Sequence, residues 1–198
     1  MKSNLITALL FATAFAFTAC ADYKQESSTE IAEEKNEEKF EDNNTMGMGD
    51  STAMNSEDDR EFLVAAASGG LMEVELGKLA ATNATLASVK DFGKKMMDEH
   101  SKANKALMSL AASKNISVPT TPGEKHQEHI NDLKTKKGTD FDLAYMSLMV
   151  DDHQQDVDAY EKEAANGKDA EIKAFASGKV PVLKGHLEMA KTTRDKIK

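Results

Sequence analysis

Four residues in this sequence could do coordination chemistry together: Glu73, His100, His153 and His186. Each lies in the apolar stripe of a separate helical pattern. His100 follows Val89, Phe92 and Met96 and precedes Ala103, Leu107 and Leu110. Glu73 sits among Phe62, Ala65, Ala66, Gly69, Met72, Leu76 and Ala80. His153 sits among Leu143, Met146, Val150, Val157, Tyr160 and Ala164. His186 sits among Ile172, Phe175, Ala176, Val182, Leu183, Met189, Ala190 and Ile197. Spacings of three and four residues turn each stripe toward a common core. Three neutral imidazoles and one carboxylate suit a transition metal (Zn, Cu or Fe), with Zn or Cu favoured. Asp98, Glu99, Asp152 and Glu188 are near enough in sequence to support the ligands from outside. Weighed against a metal site is a set of satisfied core polar groups, or a His–Glu network that fixes helix register or senses pH.

Four helices must position these groups. Ser56 is an expected N-cap, followed by Glu57, Asp58 and Asp59, which complement the helix dipole. The first long helix is expected to reach about Thr82. Gly69-Gly70 and Gly77 weaken it by about 1 kcal/mol each, so a neighbouring helix is expected to approach there. The second helix follows a short connection and ends before Asn115 to Pro119. A short polar helix is expected after Thr121 (cap) and Pro122, reaching Lys134. It carries His126 and His129, read as solvated. Thr139 is expected to cap the third long helix, which stops at Asn166-Gly167. The fourth starts near Asp169 and contains Pro181, so a kink is expected near Gly178. At about 1.5 Å per residue, Glu73 and His100 fall roughly 16 and 24 Å from their shared end. His153 and His186 fall at similar height. The connection between the second and third helices is long enough to cross the bundle. The Met residues on the stripes read as core filler.

The start of the chain has a different character. Lys2 precedes an apolar run from Leu5 to Ala19, shorter than the roughly 20 residues a bilayer span requires. It ends in Phe17-Thr18-Ala19-Cys20, which resembles the lipobox of bacterial lipoproteins, with Phe17 in place of the usual Leu. Cys20 is the sole cysteine. The reading is a signal peptide over 1–19, then a lipidated Cys20 and a disordered acidic tether over 20–55. Only Glu30 to Lys39 is read as transiently helical, and Met46 and Met48 as a weak soft-metal pair. The folded domain is 56–198. This places the protein in the cell envelope, on the outer membrane, anchored through lipid on Cys20.

Net charge is −9, and basic residues are dispersed rather than clustered. That argues against a nucleic-acid partner, whose phosphates need a positive face. No nucleophile–base pair, phosphate loop or paired acid motif stands out, so the sequence leans away from an enzyme.

The stretches Met72 to Ala80, Met97 to Asn104 and His186 to Ala190 resemble the bacterial family called domain of unknown function 4142. The resemblance covers Phe62 to Ile197. It implies an all-α, ferritin-like four-helix bundle with a short extra helix in the middle connection, in an exported protein often labelled as an outer membrane protein. It implies no activity. Ferritin-type di-iron sites use Glu-x-x-His on two helices. Here Met97 and Leu183 stand where the glutamates would be, so a di-iron oxidase is not expected. A non-catalytic structural or interaction module of the envelope is the alternative reading.

Overall fold

The computed structural model describes residues 26–45 and 56–197, and these are all-helical or loop. Four long helices form the bundle: α2 (Glu57–Asn83), α3 (Ala87–Ser113), α5 (Gly138–Asn166) and α6 (Ala170–Arg194). Two shorter ones lie against it: α1 (Ser28–Thr45) and α4 (Glu124–Lys134). No helix among the described residues is long and apolar enough to cross a membrane. Cys20, Met46 and Met48 lie outside the described residues.

Two carboxylates tie remote chain segments and thereby fix the topology. At one end, Asp142 on α5 accepts from the backbone N–H groups of Thr85 (3.0 Å) and Leu86 (3.0 Å). It caps α3 from another helix, because Leu86 at the N-cap offers no oxygen. At the other end, Asp59 on α2 accepts from Lys168 (2.9 Å) and Asp169 (2.7 Å) just before α6. Lys114, at the end of α3, reaches Asp169 at 2.8 Å there too. So α3 finishes at one end and α5 begins at the other. The connection between them crosses the length of the bundle, with α4 inside it. Each of the pairs α2–α3 and α5–α6 is antiparallel.

Small residues let the first pair close up. A Cβ added to Gly77 would sit 2.5 Å from the Gly93 carbonyl oxygen. One added to Gly70 would meet the Asn104 side chain at 2.2 Å. The glycines therefore serve the close approach of α3 that the sequence anticipates. The core is built from Met72, Leu76, Met96, Phe141, Tyr145, Met146 and Met149, all fully buried. A second apolar group, Leu63, Ala67, Leu107, Ala111, Ile116 and Ile172, closes the end of the bundle near Lys114.

Ser56 caps α2 by accepting from Asp59 N, and Asp169 caps α6 by accepting from Glu171 and Ile172 N. Elsewhere the expected punctuation differs. α4 is capped at Gly123 rather than Thr121, and its first residue is Glu124, not Pro122. α5 begins at Gly138, whose φ is +62°, ahead of the expected Thr139 cap. Gly167 follows α5 with φ −50°, so the helix ends without a left-handed residue there. α6 carries Pro181 inside it. Leu143, Val182 and Met189 sit on the rim, with exposures of 51%, 43% and 39%, because each stripe is wider than the seam it fills. Ala65 is exposed as well, while Leu63 and Val64 beside it are buried.

The expected tether also contains structure. Ser28–Thr45 is a helix, more than the transient turns anticipated for Glu30 to Lys39. Its docking combines buried Ala32 and half-buried Phe40 with several polar contacts, too few apolar positions to show as a periodic stripe. Asn36 is buried and pairs with Ser117 twice: its amide donates to Ser117 O (2.9 Å), and Ser117 N donates to its Oδ1 (2.6 Å). The Arg60 guanidinium lies 4.6 Å over the Phe40 ring.

Candidate metal centre

The bundle brings Glu73, His100, His153 and His186 together from α2, α3, α5 and α6. All four are buried. The three imidazole rings lie 5.3 to 5.6 Å apart, centroid to centroid. One nitrogen from each falls within 4.8 Å of the others. Glu73 Oε2 is 2.5 Å from His100 Nδ1, and its Oε1 is 3.2 Å from His153 Nε2. Neither approach has hydrogen-bond geometry, so both Glu73 oxygens and His153 Nε2 are buried without a hydrogen bond.

The outer nitrogens have clear partners. His153 Nδ1 donates to Met149 O at 3.0 Å, one turn back on α5. His186 Nε2 donates to the Glu99 carboxylate at 2.7 Å, and Glu99 is itself paired with Lys95. Each of these rings therefore turns a lone pair inward, since a neutral imidazole carries one N–H. His100 Nε2 lies 3.3 Å from His186 Nδ1. If His100 donates there, its other lone pair faces Glu73. If it donates to Glu73, two lone pairs oppose each other at 3.3 Å. One ring proton cannot satisfy both sides, whichever nitrogen carries it.

Burial sets the protonation states. Desolvation pushes the His100 pKa down to about 4, against the pull of Asp156 and Glu99. Desolvation, with the neighbouring His100 and His186, takes His153 down to about 3. Desolvation lowers His186 too, opposed by Glu99. All three rings are thus neutral at pH 7 and can donate lone pairs. Desolvation raises Glu73 well above the usual carboxylate range.

Of the four supporting acids expected from the sequence, Glu99 and Asp152 face the centre. Asp98 and Glu188 are exposed, and Glu188 pairs with Lys191. Asp152, Glu73 and His153 also bring one donor atom each within 4.8 Å. Asp152 Oδ2 is buried without a partner, and so is the hydroxyl of nearby Tyr145.

Sequence reasoning missed Asp156. It lies three residues after His153 and four after Asp152, which is one helix face. Desolvation and the Glu73 charge raise its pKa to about 8. The available signal was this Asp-His-x-x-Asp spacing within an apolar stripe. His126 is not freely solvated either. It is half-buried and its Nδ1 lies 2.6 Å from Ser68 Oγ, which in turn accepts from Gly123 N. That pair fastens the crossover to α2. His126 and His129 join no ligand group among the described residues.

One cleft opens on this centre and a second lies beside it. One, about 210 Å³, opens on Glu73, His100 and His186, with Lys102 and Lys179 on its walls. The other, about 360 Å³, lies between α2, α4 and α5 and is lined by Asp58, Glu61, Asp152, Asp156 and Glu163. Ala66, Asp156 and Tyr160 form the wall they share.

The sequence profile described as "Domain of unknown function (DUF4142)" matches residues 44–193. The chain belongs to this family. No curated protein matches this DUF4142 chain. Among solved structures it is similar in fold to "CopM in the Cu(II)-bound form", with a TM-score of 0.59 and 14% sequence identity. The match covers 69% of this chain and 95% of that one. At that identity the likeness shows that the DUF4142 bundle and CopM share a fold.

Proposed function

We propose that this protein binds and holds a divalent transition metal, Cu(II) or Zn(II), at the centre of its bundle. The observation that carries the reading is the meeting of inward lone pairs from His100, His153 and His186 beside an unpartnered Glu73. A cation at their focus accepts all of them at once. Bonds of about 2.0–2.1 Å put tetrahedral ligand atoms about 3.3–3.4 Å apart. The spacing of 3.3 Å between His100 Nε2 and His186 Nδ1 fits that figure. His153 and His186 hold their other N–H on a carbonyl and a carboxylate, the support that metal-bound imidazoles need. Glu73 Oε1, 3.2 Å from His153 Nε2, is then the fourth donor. Imidazole-rich sites favour Cu(II) most strongly among divalent ions, and the similarly folded CopM is named in a Cu(II)-bound form.

The role is metal storage or handling in the cell envelope. The site is buried under four helices, and nothing beside it resembles an activated nucleophile. The Cys20 motif and the acidic segment after it support a lipid anchor on the outer membrane. Radiolabelled palmitate should enter the native protein and not the Cys20→Ser variant.

Metal analysis of untagged protein is the decisive experiment. The expected result is about one equivalent of Cu or Zn per chain, lost in His100→Ala. A metal content unchanged by that substitution sinks the reading. Protein that takes up neither metal would leave a structural or pH-sensing histidine network, which the His100–His186–Glu99 chain supports.

A further inference from the structure

The cleft beside the histidine centre is a groove whose two walls repeat in step. On α5 its lining falls at Asp152, Asp156, Ala159, Glu163 and Asn166, and on α2 at Asp58, Phe62, Ala65 and Gly69. Both series advance by four and three residues, so each is one face of its helix. Asp59 holds Lys168 N just past the end of α5, so the two helices run in opposite directions and Asp58 lies toward the Glu163 end. The chemistry is sorted along the groove. Glu163 marks one end, and Asp152 and Asp156 the other. Between them lie Ala159 and Tyr160, whose ring meets Phe62 edge-on at 4.9 Å. Glu163 is only 6% exposed, yet its Oε1 has no hydrogen bond. Asp152 Oδ2 is buried and unpartnered as well. Carboxylates withdrawn from water in this way either keep a proton or hold a cation. Glu163 comes seven residues after Asp156 and eleven after Asp152, about 10 and 16 Å along the helix. No single metal ion reaches from one end to the other.

We propose that this groove binds a linear alkylpolyamine, with its ammonium groups on Glu163 at one end and on Asp152 and Asp156 at the other. Three carboxylates spaced along one helix face suit the three nitrogens of a triamine such as spermidine. Its methylene segments cover the alanines, and the Phe62–Tyr160 pair offers ring surface to a passing cation. The groove's volume, about 360 Å³, is that of a small-molecule site. Asp58 and Glu61 are exposed on its rim and add negative charge there, while the exposed Lys162 is free to turn toward solvent. None of these carboxylates is among the four ligands of the histidine centre, so the inference stands apart from the metal reading.

Spermidine is the probe. Calorimetric titration of the full-length protein at about 0.15 M salt, where diffuse surface attraction is screened, should show about one equivalent bound. Putrescine, which has one ammonium fewer, should bind about tenfold more weakly. Glu163→Gln and Asp156→Asn, singly, should each weaken spermidine by about tenfold or more. Phe62→Leu keeps the wall apolar but removes a ring, and should weaken it by about threefold. Both carboxylate substitutions keep side-chain size, and helicity by circular dichroism verifies the fold. Absence of spermidine binding to native protein overturns the proposal. So does binding that equimolar Mg²⁺ abolishes, which marks a diffuse acidic surface, or an affinity that neither carboxylate variant changes.

Discussion

Glu73 Oε1 faces His153 Nε2 at 3.2 Å, and the ring has no proton to place between them, because its single N–H is spent on Met149 O. The carboxyl must supply that proton or accept a cation. In the metal-free bundle, desolvation pushes the Glu73 pKa up and so favours its protonated form.

The pH dependence of that group has a definite sign. Its folded pKa is raised, and the unfolded one is near 4.3. Stability from Glu73 is full below the unfolded value and is lost as pH rises toward the folded one. In metal-free protein, Glu73→Gln should unfold at higher urea than native protein at pH 8, with the gap shrinking toward pH 4. The same variant should bind Zn²⁺ or Cu²⁺ much more weakly. Calorimetry of native protein in buffers of different ionisation heat should show about one proton released per ion. A variant gap that widens toward acid contradicts the assignment.

The imidazoles act in the opposite direction. Unfolded histidine takes up a proton below about 6.5, whereas His100 and His153 resist until about 4 and about 3. Below pH 6.5 the unfolded chain binds more protons, so stability falls as pH falls. His100 alone should account for a loss on the order of 3 kcal/mol across that window. Denaturant midpoints of metal-free protein from pH 7 to pH 4 measure it. His153→Leu should flatten the curve.

The glycines give a stability contrast. Gly77→Ala forces a Cβ to 2.5 Å from a backbone oxygen on α3. Moving a helix apart should cost about 1–3 kcal/mol. Gly178 has nothing within 4 Å of its would-be Cβ. Gly178→Ala should stabilise by about 0.5–1 kcal/mol through helix propensity. Thermal melts of the two variants should move in opposite directions.

The Asn36 amide is one of the contacts that dock α1. Asn36→Ala leaves the backbone N–H and C=O of Ser117 without their partners. Such a loss costs on the order of 1–3 kcal/mol. Because α1 is peripheral, hydrogen exchange should speed up over Ser28–Thr45 while α2 to α6 remain protected.

The sequence alone determined the four long helices, the cap at Ser56, the start of the last helix near Asp169, and the inward face of Glu73, His100, His153 and His186. Those features depend on local spacing and on side-chain bonds to the next turn, and both are written along the chain. Only the tertiary structure decided the crossover, which rests on Asp142 and Asp59 accepting N–H groups from residues remote in sequence. It also decided the place of Asp156 and the docking of α1 through Asn36. A polar residue on a helix looks alike whether it meets water or a partner. Its role is fixed when a distant segment arrives, and no periodicity records that arrival.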